Sequence, residues 1–235
     1  MKDQYFGDVN DFRKYLLLRA LVLPNKLRLG VCWMLTPSDG RTDGSLLTYL
    51  RKPDPHRRHD PELFDWLRQV VDIERDRRTA RIETSGLLGP VSFHSQMLAD
   101  SHEDRSLYFS SSAAIFGGCD LVFFDPDNGL EVRSKPRGRK DSCKYIYWEE
   151  VQETFSAGSS VLVYQHFPRV KREQYMGRMT QELRQRTAAA SVFSFRTSQV
   201  LFLLAAHGHH AEMFRARLSD IRSRCDPNPF MACEH

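Results

Sequence analysis

The stretch Cys119 to Glu131, CDLVFFDPDNGLE, decides the fold that we predict for this chain. Its residues Leu121 to Phe124 form an apolar run without a polar break, as in a strand buried on both faces of a parallel sheet. Pro126 and Gly129 cannot continue a strand ladder, so the chain turns directly after this run. Ligands of open α/β sheets bind at the carboxyl ends of the strands, and we therefore expect an active-site edge here. The alternative is an acidic turn that only caps the next segment, because its residues are ordinary turn formers.

Other apolar runs extend the predicted sheet on both sides of this strand. Leu27 to Met34 and Ser160 to Tyr164 are each typical of a core strand. Two further runs, Ser191 to Phe195 and Gln199 to Ala206, flank Arg196-Thr197-Ser198 with the spacing of a hairpin. We predict an α/β fold, with a doubly wound, mostly parallel sheet, helices on both faces and a C-terminal antiparallel hairpin.

The intervening segments are predicted to be mostly helical. Apolar spacing and capping residues indicate a helix from Asn10 or Asp11 to Leu23, and another that begins at Asp60-Pro61. Amphipathic helices are also expected over 169–186 and 209–222. The segment from Thr79 to Thr84 is predicted to be a strand, whereas Ser92 to Ala99 is compatible with either a helix or a strand.

Composition limits the class of protein. The chain has 235 residues, 41% hydrophobic and 27% charged, and no stretch resembles a linker, so we expect a single α/β domain over 1–235. No apolar run reaches membrane-spanning length and the opening residues do not begin a signal peptide. The five scattered cysteines favour neither a disulfide framework nor a zinc site, which predicts a cytoplasmic protein. A net charge of +4 is compatible with an anionic partner.

A doubled Asp-Gly loop follows the predicted strand at Leu27 to Met34. Its residues Asp39, Gly40, Asp43 and Gly44 are candidate cofactor ligands, because glycine lets a backbone approach a ligand closely. The layout is that of a nucleotide-binding strand, loop and helix, although neither of the common phosphate-binding glycine motifs is present. A plain surface loop is equally compatible with these residues.

A basic segment, Val132 to Lys144, follows the acidic turn, and we expect it to be an irregular, mobile loop. Its cations can bind the phosphates of a nucleic acid, or the loop is merely solvated. The candidate substrate-binding residues are Arg133, Lys135, Arg137, Arg139 and Lys140. His166 follows the strand at Ser160 to Tyr164 and is either an acid–base residue or a histidine at the edge of the core.

The order of elements from Cys119 onward resembles the second half of class I S-adenosylmethionine-dependent methyltransferases, whose doubly wound sheet ends in a reversed strand. In that family, enzymes that methylate exocyclic amines carry Asp/Asn-Pro-Pro-Tyr at the place of Asp125-Pro126-Asp127-Asn128 here. The whole chain is also similar to a family of bacterial proteins with the opening GD-x-x-DF-x-KY-x-LLR, here Gly7 to Arg19, and a DPDNG strand end. That family is loosely grouped with three-Cys-motif partner proteins.

The resemblance implies a mechanism of methyl transfer to a nucleic acid or nucleotide-like substrate. The region of Asp8 and the loop from Asp39 to Gly44 would hold S-adenosylmethionine. Asp125 and Asn128 would accept hydrogen bonds from the nucleophile and orient it for in-line attack. On this hypothesis we expect Asp125→Ala to abolish activity and to leave thermal stability nearly unchanged.

Two other functions are compatible with the sequence. In the first, Asp125 and Asp127 bind Mg²⁺ for phosphodiester hydrolysis or phosphoryl transfer, with Asp39, Asp43 or Glu131 completing the ligands and His166 as acid or base. In the second, the chain is a Rossmann-like binding subunit without catalysis. A terminal hairpin with a cofactor-sized cleft would favour methyl transfer, whereas carboxylates converging at metal-bridging distance would favour hydrolysis.

Overall fold

The computed structural model describes residues 1–38, 40, 44–223 and 229–235, and it confirms the α/β fold. Within these residues a seven-stranded sheet has the order β2-β1-β3-β6-β8-β7-β9, and β4 pairs with β5 in a separate two-stranded sheet. The strands are β1 (Leu29–Cys32), β2 (Val91–His94), β3 (Leu121–Phe124), β4 (Gly129–Leu130), β5 (Tyr145–Ile146), β6 (Ser160–His166), β7 (Ser191–Arg196), β8 (Val200–Ala206) and β9 (Met231–Glu234).

The central strands are parallel; β1 and β3 end level with each other, and β6 continues three residues further, to His166. Phe124, the last residue of β3, lies beside Cys32 of β1 and Val163 of β6. The predicted hairpin is present, because β8 runs antiparallel to both β6 and β7 and lies between them. Strand β9, which was not predicted, pairs antiparallel with β7 at the edge of the sheet.

Helices cover both faces of the sheet, as predicted. They are α1 (Val9–Val22), α2 (His56–His59), α3 (Pro61–Leu67), α4 (Ala80–Glu83), α5 (His102–Phe116), α6 (Trp148–Ser156), α7 (Arg172–Thr187) and α8 (Gly208–Ser223). Side chains of α1, α3 and α8 pack in one buried cluster with Phe123 of β3. Those of α5, α6 and α7 pack in the other cluster with its neighbour Phe124. The alternation of adjacent side chains along β3 therefore separates the two layers of helices.

Two local predictions are wrong. Helix α1 is capped by Asp8 rather than by Asn10 or Asp11: Asp8 Oδ1 accepts hydrogen bonds from the backbone nitrogens of both, at 2.8 and 3.0 Å. The strand predicted over Thr79 to Thr84 is the short helix α4. There the backbone nitrogen of Thr79 donates to the Asp3 carboxylate at 2.8 Å, which fixes the start of that helical turn.

No helix in the described part of the chain is both long enough and apolar enough to cross a membrane. The cytoplasmic location stays a prediction.

Candidate functional site

The strand order of the main sheet reverses between β1 and β3, because β2 lies on the outer side of β1 and β6 on the outer side of β3. Ligands of open α/β sheets bind at such a switch point, outside the carboxyl ends of the strands. A cavity of about 600 Å³ lies there, which we call the switch-point cleft. Its walls include residues of the N-terminal segment, of α1 and of the ends of β3 and β6. The polar residues that line it include Asp8, Asn10, Lys14, Asp125, Asn128 and His166.

Asp125 belongs to a buried charge network at the floor of this cleft. The Nζ atom of Lys14 lies 2.6 Å from Asp125 Oδ2 and 2.7 Å from Asp11 Oδ1, and all three side chains are almost fully buried. Tyr15 donates its hydroxyl to the other oxygen of Asp11 at 3.0 Å. Helix α1 brings Asp11, Lys14 and Tyr15 together, since residues three and four apart share a helix face.

The network holds more carboxylates than cations. Burial raises the pKa of Asp125, and the attraction of Lys14 only partly offsets this effect. Burial by itself would lower the pKa of Lys14, but Asp11 and Asp125 together raise it above its usual range. Lys14 is therefore charged at neutral pH and shared between two carboxylates.

Asp127 is paired with different cations. Its Oδ1 atom lies 2.7 Å from the α-ammonium group of Met1, and its Oδ2 atom accepts a hydrogen bond from Thr36 Oγ1 at 2.6 Å. The Met1 ammonium also donates to the carbonyl oxygens of Met34 and Asp125, at 3.1 and 3.0 Å. Burial would raise the pKa of Asp127, but the ammonium and the Thr36 hydroxyl hold it below its usual value.

The structure thus places the predicted catalytic aspartates on the cleft but engages both carboxylates with cations of the chain. Asp125 is 2% exposed and Asp127 is 7% exposed. Among the described residues, no group of three or more histidine, cysteine, aspartate or glutamate side chains is arranged to hold a metal ion. Direct contact of either carboxylate with substrate or metal stays a prediction.

Asp8 presents a different kind of carboxyl to the cleft. Both backbone hydrogen bonds to its side chain use Oδ1, and Oδ2 has no hydrogen-bond partner in the described ranges. Burial, together with repulsion from Asp11, raises the pKa of Asp8 from 3.8 to about 6. The cleft therefore contains a carboxyl group that ionises close to neutral pH and can accept a hydrogen bond from a ligand.

Asn128 and His166 line a second cavity as well as the switch-point cleft. This second cavity, which we call the aromatic groove, has a volume of about 1000 Å³. The backbone around Asn128 is held by Gln165, whose Oε1 accepts from the Leu130 nitrogen at 2.7 Å and whose Nε2 donates to the Asn128 carbonyl at 3.3 Å. The aromatic and basic side chains of the groove, besides His166, are Arg133, Tyr145, Trp148, Phe167, Tyr175, Arg178 and Arg186.

Of the Asp-Gly loop, Gly44 is the residue that the structure brings to the cleft. Its φ angle is +82°, and its carbonyl oxygen accepts a hydrogen bond from Arg77 Nη2 at 2.6 Å. Gly40 is exposed, and in the described part of the chain no atom apart from its own and its chain neighbours' lies within 4 Å of the place where a Cβ would stand. Asp39 and Asp43 lie outside the described residues.

The basic loop is irregular, as predicted, but several of its cations are paired with acids. Lys135 lies 2.9 Å from Asp141, and Arg137 lies 2.7 Å from Glu149. Arg133 faces the aromatic groove. The other two candidate residues, Arg139 and Lys140, are exposed. The loop therefore offers fewer free charges than its composition indicates.

Sequence reasoning missed Lys14, Thr36 and Tyr164, all of which contribute to the site. Lys14 belongs to the KY pair of the opening motif, three residues after Asp11, and that helical spacing was the signal available. Tyr164 lines the cleft beside His166, and its ring centroid lies 5.2 Å from Lys14 Nζ.

Comparisons with known proteins do not assign the chain. No protein-family model matches it, and no curated protein matches it with significance. We therefore infer the function from the geometry of the two cavities.

Proposed function

We propose that this protein is a methyltransferase of the S-adenosylmethionine-dependent type that acts on a nucleic acid or nucleotide-like substrate. The observation that carries the proposal is a pair of features. A reversed strand, β8, lies inside the sheet between β6 and β7, and a cleft of about 600 Å³ lies at the switch point. These features favour methyl transfer over metal-dependent hydrolysis.

The residues of the switch-point cleft fit S-adenosylmethionine. Its volume is within the range of roughly 300–1000 Å³ that is typical of small-molecule sites. Asp8 and Asn10 offer polar groups for the hydroxyls and the ammonium of the cofactor, while Tyr5 and Leu46 offer apolar surface for its base. When bound, the cofactor supplies an electrophilic methyl group.

The charge of the cleft also suits a cationic ligand. Four carboxyl groups, those of Asp8, Asp11, Asp125 and Asp127, line the cleft against two ammonium groups, those of Lys14 and Met1. Ionisation of Asp8, whose pKa is raised to about 6, adds negative charge to this largely buried set at neutral pH. A sulfonium ion bound beside it would be stabilised by electrostatic attraction, which is stronger at low local dielectric.

The aromatic groove supports a base-containing acceptor. Its partly exposed rings Tyr145 and Phe167 can stack on nucleotide bases, and its exposed Arg133 can contact a phosphate or stack on a base in turn. Asn128 and His166, at the junction of the two cavities, are placed to orient an acceptor group toward the cleft. Their contribution is positioning, which can account for a large part of a rate enhancement.

No observation specifically favours either alternative, metal-dependent hydrolysis or a binding subunit without catalysis. Magnesium at Asp125 and Asp127 would have to compete with Lys14 for the first carboxylate and with the Met1 ammonium for the second. A binding subunit without catalysis is compatible with the cleft, and an assay of methyl transfer separates it from an enzyme.

The first experiment is thermal unfolding with S-adenosylmethionine, S-adenosylhomocysteine, Mg²⁺ and Mn²⁺, each added alone. A ligand that binds only the folded protein stabilises it by about 2.7 kcal/mol at a hundredfold excess over its Kd. We expect both sulfur compounds to raise Tm. A rise with either metal and none with the sulfur compounds would contradict the proposal and favour hydrolysis.

A further inference from the structure

A third cavity, of about 440 Å³, lies beside the switch-point cleft and is lined by basic residues of four different segments. Arg13 comes from α1, His56 and His59 from α2, Arg172 from the start of α7, and Arg196 from the end of β7. We call it the arginine–histidine cleft. Among the described residues that line it, none is acidic.

The positive charge of this cleft comes from Arg13, Arg172 and Arg196. Burial lowers the pKa of both His56 and His59 below its usual value of 6.5, and neighbouring arginines lower it further, so both imidazoles are mostly neutral at neutral pH. Arg13 is half-buried, and its guanidinium donates to the Asn10 side-chain oxygen at 3.3 Å. Partly buried cations held close together create a positive potential that attracts an anion.

The compensating acid lies at the rim. Glu173 accepts a hydrogen bond from Arg196 at 2.7 Å, and its side chain is 69% exposed. An ion pair with such an exposed partner is weak, so a phosphate can replace the carboxylate at little cost. The basic surface continues outward, since neighbouring depressions are lined by Lys52, Arg169 and Lys171.

The arginine–histidine cleft is joined to the proposed site by one turn of α1. Asn10 lines the switch-point cleft, and Arg13, three residues later, lines the arginine–histidine cleft. Between the cavities, Asn10 Nδ2 donates to Gln199 Oε1 at 3.4 Å. Gln199 also lines the depressions that contain Lys52 and Lys171. The depression that contains Arg169 and Lys171 also shares Phe167 and Val170 with the aromatic groove, so a flexible polyanion can pass from the basic surface to the proposed acceptor groove.

We propose that the arginine–histidine cleft binds backbone phosphates of a nucleic acid strand and so directs one of its nucleotides to the proposed catalytic site. The inference rests on the proposed function for its choice of a nucleic acid as substrate. It moves the main phosphate contacts away from the basic loop, where Lys135 and Arg137 are already paired with acids. Arginine suits this role, because its planar guanidinium binds phosphate oxygens in pairs.

The test is binding of a fluorescently labelled single-stranded 20-nucleotide probe, followed by anisotropy over a range of salt concentrations. We expect the double variant Arg172→Gln/Arg196→Gln to bind at least tenfold more weakly at low salt. Each phosphate contact on a single strand contributes about 0.7 to the slope of log K against log salt, so the slope should fall by about 1.4.

Two further variants keep the result interpretable. Arg57→Gln/Arg58→Gln removes the same charge from exposed arginines of the same surface that pair with Asp65 and Asp54. It should change the affinity less than twofold. Arg172→Lys/Arg196→Lys retains the charge and should keep most of the salt slope. An equal loss of affinity in the glutamine variant and in its matched control would overturn the inference.

A competition experiment distinguishes the backbone phosphates of a nucleic acid from free inorganic phosphate as the ligand of this cleft. Inorganic phosphate should displace the 20-nucleotide probe only at millimolar concentrations, and a probe of four nucleotides should bind much more weakly than the long one. If inorganic phosphate displaces the long probe at micromolar concentrations, the cleft is a site for a small anion and the inference is wrong.

The failure of this inference can be distinguished from failure of the proposed function. The rise in Tm with S-adenosylhomocysteine should be the same in Arg172→Gln/Arg196→Gln as in the unmodified protein. Loss of the cofactor shift in the unmodified protein, with arginine-dependent probe binding retained, would reject the methyltransferase and leave the phosphate site standing. A rise in Tm with S-adenosylhomocysteine, without arginine-dependent probe binding, would reject the phosphate site and leave the methyltransferase proposal standing.

Discussion

Replacement of Lys14 by methionine should destabilise the protein strongly, because it removes the cation shared by two buried carboxylates. Lys14 Nζ lies within 2.7 Å of both Asp11 and Asp125, and its side chain is 3% exposed. Breaking a buried ion pair by removal of one partner costs about 3–5 kcal/mol. For a domain of this size, about 2–4 °C is lost per kcal/mol, so Tm should fall by roughly 6–20 °C.

The sign of the effect agrees with the pKa of Lys14. That pKa is raised in the folded state, so the charged lysine stabilises the folded protein at every pH below its ordinary value of 10.5. In Lys14→Met, the pKa of Asp125, already raised by burial, should rise further, and protonation would relieve part of the loss. The variant should therefore be less destabilised at pH 5 than at pH 7.5.

Urea unfolding monitored by tryptophan fluorescence measures these free energies. The matched control is Lys135→Met, because Lys135 is partly exposed and its partner Asp141 keeps Lys144 at 3.0 Å. The control should change the free energy of unfolding by about 1 kcal/mol or less. In the Lys14→Met background, Asp125→Asn should restore stability, since it removes an uncompensated charge. Equal losses in Lys14→Met and Lys135→Met, with no restoration, would refute the buried network.

Two further predictions concern residues at the cleft. Asp8→Asn keeps a side chain that caps helices well. Since the folded-state pKa of Asp8 is raised from 3.8 to about 6, the unmodified protein loses stability as pH rises through that window. The variant should therefore be more stable than the unmodified protein by up to about 3 kcal/mol at pH 7.5 and show little gain at pH 4. Urea unfolding at both pH values measures the difference. An equal gain at both would contradict a raised pKa of Asp8. Gly129→Ala should cost about 1–3 kcal/mol, because φ is +116° and the new Cβ would stand 2.3 Å from Gln165 Oε1. It should also weaken methyl transfer by displacing Asn128, whereas Gly158→Ala, with a similar φ of +106° and open space around the new Cβ, should leave activity unchanged.

The fold could be predicted largely from the sequence because its central strand, β3, is wholly apolar. Leu121 to Phe124 is buried on both faces, and such runs leave little choice of structure. The edge strand β9 could not be found in the same way. Its short MACE segment has an exposed Met231 and Glu234, and its pairing with β7 is decided by tertiary contacts.

The edge of the sheet where the switch-point cleft lies could also be predicted, but the charge pairing there could not. The turn after β3 indicated this edge, and Asp125, Asp127 and Asn128 line the cleft. Nothing in that turn indicates that Lys14, 111 residues away, lies 2.6 Å from Asp125. The expectation that Asp125→Ala leaves stability nearly unchanged treated Asp125 as a group at a surface edge. The effect of Asp125→Ala on stability instead depends on how Lys14 accommodates the loss of one of its two buried carboxylate partners.

The most direct test of the central claim is calorimetric titration of S-adenosylhomocysteine into the unmodified protein, Leu46→Trp and Leu107→Trp. Leu46 is half-exposed on the wall of the switch-point cleft, and tryptophan there should fill part of the cavity. Leu107, exposed on α5, is the matched control. We predict one binding site, retained in Leu107→Trp and lost or weakened at least tenfold in Leu46→Trp. Absence of binding, or equal binding in all three proteins, would contradict the assignment of the cleft as the cofactor site.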